Sequence, residues 1–76
     1  MPVVYRSVVN TSGFQRIDLF EQQEGVYVLV YEAERPHSST RDYLQDTWKL
    51  AKELCFEEFG VPFESWQRMD VAQPPR

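Results

Sequence analysis

The stretch that most constrains this chain runs from Ser39 to Gly60, where a start signal, a stop signal and one apolar stripe coincide. At helical spacing Leu44, Trp48, Ala51, Cys55 and Phe59 fall on one side, flanked by Thr47 and Leu54. Asp42, Asp46, Lys49, Glu53 and Glu57 fall on the other side, as a water-facing stripe should. Ser39 or Thr40 can accept a bond from an orphan backbone N–H, and Asp42 suits the positive first turn. A full capping box would carry Glu or Gln where Asp42 stands. At the far end Gly60 can take the left-handed conformation that ends a helix, and Pro62 cannot continue one. Such an end sets Phe56, which lies off the core stripe, against Val61. The spacing predicts one long amphipathic helix over 39–60.

Ahead of it, Val3–Asn10, Phe14–Gln22 and Val26–Glu34 are rich in β-branched and aromatic residues, and read as three strands of an antiparallel meander. The gaps Thr11-Ser12-Gly13 and Gln23-Glu24-Gly25 are alike, and each fits a three-residue hairpin loop closed by glycine. Taken literally, those loops set the register, with Asn10 opposite Phe14 and Gln22 opposite Val26. Even-numbered residues then share one face, in rows Val4–Phe20–Val28, Arg6–Asp18–Val30 and Val8–Arg16–Glu32. The register brings two opposite charges together, Arg6 with Asp18 and Arg16 with Glu32, each pair worth roughly 0.2–1 kcal/mol.

The odd-numbered face, with Tyr5, Ile17, Leu19, Tyr27, Leu29 and Tyr31, is the one the helix is expected to cover. Strands of eight or nine residues span about 25–30 Å, and a helix of about twenty residues spans about 30 Å. The lengths match. The expected fold is therefore α+β: a three-stranded antiparallel β-meander packed on one long C-terminal α-helix (βββα), a two-layer sandwich with a short C-terminal turn. Arg35-Pro36-His37-Ser38 connects the third strand to the helix, since Pro36 ends a ladder. Val61–Trp66 reads as a turn that anchors Phe63 or Trp66. Residues 1–70 form a single domain and 71–76 a flexible tail.

A chain of 76 residues has little room for a core, and its one cysteine forms no internal disulfide. The eleven aromatic residues (two Trp, four Tyr, five Phe) must supply much of the buried area. No secretory signal is visible at the amino terminus, and no apolar stretch approaches the roughly 20 residues of a membrane span. A soluble, cytoplasmic protein is the expectation. The net charge of −4 argues against a role dominated by phosphate contacts.

No constellation for chemistry emerges. Cys55 and His37 lie eighteen residues apart with the helix between them, a separation of roughly 25 Å along the helix. Cys55 sits on the core stripe and behaves as a small apolar residue, and His37 is alone in a loop. No metal site, cofactor or catalytic residue is expected. What remains is the even face, where Val4, Phe20, Val26, Val28 and Val30 form a candidate partner surface. The third strand, apolar on both sides, is expected at an edge, where two copies can pair about a twofold axis. The function read from the sequence is a non-enzymatic protein-interaction module that binds a protein or its own copy. The alternative is weak nucleic-acid binding through Arg6, Arg16 and Arg41, because a three-stranded sheet followed by a helix resembles some small DNA-binding domains in topology.

Overall fold

The computed structural model describes residues 3–8, 13–32 and 39–70. In chain order they form β1 (Val3–Val8), β2 (Phe14–Gln22), β3 (Gly25–Glu32), β4 (Arg41–Gln45), α1 (Trp48–Phe59), a 3-10 turn (Phe63–Ser65) and β5 (Gln67–Asp70). The class is α+β: a five-stranded antiparallel sheet in the order β4-β3-β2-β1-β5, with one helix packed on it. The expected meander forms its middle, and a strand is added at each edge. The connection at 35–38, with His37, and the tail at 71–76 lie outside the described residues.

The first correction concerns the stretch read as one helix. Residues Arg41–Gln45 are a strand, and α1 begins only at Trp48. A short segment that alternates Tyr43 with its neighbours satisfies a period of two as readily as one of 3.6, so the partner decides. Here the partner is β3, whose outer edge would otherwise present a row of unpaired backbone groups. Pairing starts where the Thr40 amide donates to the Val30 carbonyl at 2.8 Å, and it sets Tyr43 opposite Val28. Ser39 therefore caps no helix; its hydroxyl donates to Asp42 at 2.9 Å. The cap is Thr47, in extended conformation, whose hydroxyl accepts from the Leu50 amide at 3.2 Å.

The second correction is a register slip of one residue. Strands β1 and β2 pair as expected, Val4 with Phe20 and Arg6 with Asp18. Between β2 and β3, however, Gln22 lies opposite Gly25, which leaves only Gln23 and Glu24 in the turn. Gly25 thus belongs to the strand, at φ 144°. A Cβ there would collide with the Gln45 carbonyl of β4, so this position requires glycine. The slip turns every β3 side chain over. Val26, Val28 and Val30 face the helix, while Tyr27, Leu29 and Tyr31 face away. The valines pack beneath the small residues Ala51 and Cys55, while Leu29 and Tyr31 are buried on the opposite face, Tyr31 against the Arg16 guanidinium.

The core lies between helix and sheet. Ile17, Leu19, Val26, Val28, Val30, Ala51, Cys55 and Val61 are buried there, with Tyr5, Phe14, Tyr43, Trp48, Leu54, Phe59 and Trp66 packed around them. Gly60 ends α1 in the left-handed conformation (φ 69°), as expected, and its amide donates to the Phe56 carbonyl at 3.0 Å. Val61 follows into the core, and the ring that meets Phe56 is Phe63. Residues 67–70 then pair antiparallel with β1, Arg68 opposite Tyr5. Ser65 secures the approach: its hydroxyl donates to the Pro62 carbonyl at 2.7 Å and, with its proton so used, accepts from buried Ser7 at 2.8 Å. Because β3 lies between β2 and β4, it has no free edge. The twofold pairing of third strands expected from the sequence is closed off.

Candidate interaction surface

The partner surface read from the sequence is not a surface. Val26, Val28 and Val30 are fully buried under the helix, and on the opposite face Val4 is 1% and Phe20 7% exposed. The slip of β3 accounts for the three valines.

The arginines are divided between two faces. Arg6 holds Asp18 with both ends of its fork, Nε to Oδ1 at 2.8 Å and Nη2 to Oδ2 at 3.1 Å. This hydrogen-bonded pair raises the Arg6 pKa above its ordinary value, against the lowering effect of burial. Arg16 was expected to meet Glu32, but the slip sets it opposite Tyr31. Its guanidinium lies 3.9 Å from that ring's centroid, and its Nε is 3.6 Å from the same Asp18 carboxylate. Arg41 stands opposite Val30, on the helix side, 5.1 Å from the Phe14 ring centroid. The structure therefore does not bring Arg6, Arg16 and Arg41 together.

Cys55 is fully buried, and burial pushes its thiol from 9.0 up to about 12. It stays protonated at neutral pH, as a structural cysteine does. Among the described residues no group of three or more His, Cys, Asp or Glu side chains is placed to hold a metal ion.

The described residues expose Val8, Leu44 and Leu50 singly and, together, a pair of phenylalanines. Phe56 is 52% and Phe63 47% exposed, and their rings stack at 5.5 Å between centroids, 20° from parallel. The local sequence builds this pair. Gly60 stops the helix, Pro62 holds extended backbone, and the 3-10 turn that follows brings Phe63 back beside Phe56. The turn closes where the Ser65 amide donates to the Pro62 carbonyl at 3.1 Å. Phe56 was visible in the sequence as an aromatic off the core stripe, but the cap contact assigned to it hid the pairing.

Acidic residues flank the pair in the sequence. Glu57 and Glu58 are exposed in the last helical turn, which has no basic residue, and exposed Glu64 follows Phe63. The carboxyl end of a helix carries partial negative charge, so each acid there is unfavourable by about 0.3–1 kcal/mol at low salt. The fold accepts that cost next to its most exposed aromatic rings.

No known protein family matches this chain, and neither does any curated protein or solved structure. Among the described residues no helix is long and apolar enough to cross a membrane.

Proposed function

We propose that this protein is a small, non-enzymatic interaction module that docks a partner protein on the Phe56–Phe63 pair. One observation carries the reading: two half-exposed phenylalanines stacked outside a domain that needs its aromatic residues for a core. Binding energy at protein interfaces concentrates in a few large side chains, with a polar rim that excludes water. Glu57, Glu58 and Glu64 supply such a rim, and its charge favours a partner segment that flanks apolar residues with Lys or Arg. A second copy is a poorer occupant, because twofold pairing through this patch would bring three acids against three. The free, buried thiol of Cys55 is compatible with a reducing, cytoplasmic setting. Nothing favours the nucleic-acid alternative, since Arg6 and Arg16 already share Asp18.

The test is affinity capture with the wild type beside a Phe56→Ser/Phe63→Ser double variant, each checked for an unchanged thermal melt. Proteins that associate through this surface should be lost from the variant and released from the wild type as salt rises. An identical set of proteins on both baits would refute the assignment. Light scattering on the purified chain decides between a foreign partner and self-association.

A further inference from the structure

The other end of the helix carries a second feature, independent of the first. A cleft of about 420 Å³ opens between α1 and the edge formed by β1 and β5, lined by Val3, Tyr5, Glu21, Trp48, Lys52 and Arg68. Its origin lies in β5. That strand sets Arg68 opposite Tyr5 and Asp70 opposite Val3, so it brings no apolar side chain to fill the space below the helix. Tyr5 and Trp48 consequently form a half-buried aromatic wall, edge to face at 5.0 Å and 77°. Lys52 reaches over it, with Nζ 5.6 Å from the Tyr5 ring centroid. Arg68 is held only loosely, its Nε 3.7 Å from Asp70 Oδ1 and its side chain 64% exposed. An ion pair of that kind contributes little and yields readily to a better acceptor.

Two bases and one acid thus line a cleft in a chain whose net charge is −4. The volume lies toward the lower end of small-ligand sites, which run from about 300 to 1,000 Å³. We propose that this cleft binds a small aromatic carboxylate, its ring against Tyr5 and Trp48 and its carboxylate held by Lys52 and Arg68. An arginine fork matches a planar carboxylate, and the aromatic wall matches a flat apolar body. Glu21, also in the lining, offsets part of the positive charge of Lys52 and Arg68. The acid is either a free small molecule or the C-terminal residue of a polypeptide; both present the same chemistry.

The test follows amide and indole resonances of the whole chain during titration with indole-3-acetate at low salt. Shifts should appear at Tyr5, Trp48, Lys52 and Arg68. The uncharged analogue indole-3-acetamide should bind about tenfold more weakly, as should Lys52→Gln and Arg68→Gln variants toward the acid. Phe56→Ser should leave this binding unchanged, which separates it from docking at the other end. No shift at millimolar ligand would overturn the proposal. So would equal affinity for acid and amide, or full affinity in both charge variants. A peptide with a free C-terminal phenylalanine distinguishes the sources: tighter binding than indole-3-acetate assigns the cleft to polypeptide ends, weaker binding to free acids.

Discussion

Phe56 and Phe59 lie three residues apart near the end of one helix and meet opposite fates. Phe59 turns inward, edge to face with Phe14 at 5.2 Å and with Tyr43 at 6.5 Å. Phe56 turns outward, half-exposed, and stacks on Phe63. Both are aromatic pairs, yet the inner rings are joined by sheet residues and the outer two are joined only across the helix cap. The difference teaches which aromatic residues this small domain spends on its fold and which it leaves for a partner.

The largest expected effect sets the scale for the interior. Val28→Lys places an unpaired charge beneath the helix and should unfold the chain, at a cost of about 4 kcal/mol or more. Circular dichroism and a dispersed amide spectrum check this; a folded variant would mean that β3 does not face the core. Next comes the comparison itself. Phe59→Ala should cost about 2–3 kcal/mol, somewhat below a fully buried phenylalanine, whereas Phe56→Ala should cost under about 1 kcal/mol. Equal losses in urea titrations would make the outer pair structural and break the contrast.

Replacing the acids beside the outer pair sharpens it further. Glu57→Lys and Glu58→Lys should each stabilise the monomer by about 0.3–1 kcal/mol at low salt, fading as salt is raised. The same variants should weaken partner capture, so that stability and binding move in opposite directions. The smallest effect at neutral pH belongs to Cys55, whose thiol titrates near 12 instead of 9.0. The folded state keeps this proton after the unfolded chain has lost it, so stability is full below pH 9 and falls as pH rises toward 12. Equilibrium unfolding at alkaline pH should show this decline, and a Cys55→Ala variant should flatten it. At neutral pH, thiol reagents should label Cys55 only as fast as the chain opens.

Much of the scaffold is legible in the sequence. The hairpin of β1 and β2 was readable because the short stretch ending in Gly13 sets its register, and the match of Arg6 with Asp18 supports that register independently. The helix end was readable because a glycine followed closely by proline leaves the backbone few options. Charge matching failed at the next hairpin for a specific reason. Glu32 looked like the natural partner of Arg16, but Asp18, two residues along the same strand, already supplies the charge and Tyr31 the surface. The candidate site was less legible still. The valines chosen for a surface became core when β3 turned over, and the exposed pair needed the chain reversal at Pro62 to exist.

The sequence alone thus determined local matters: the limits of β2, the left-handed stop at Gly60, and the inward side of α1 at Ala51 and Cys55. These depend on nearby residues and on strong preferences of backbone geometry or burial. Only the tertiary structure decided that Arg41–Gln45 is a strand, that Gln67–Asp70 closes the far edge, and that β3 is interior. Segments of four or five residues carry too few side chains to fix their own period. Their backbone groups take whichever ladder lies open, and here that was the free edge of β3 for one and of β1 for the other.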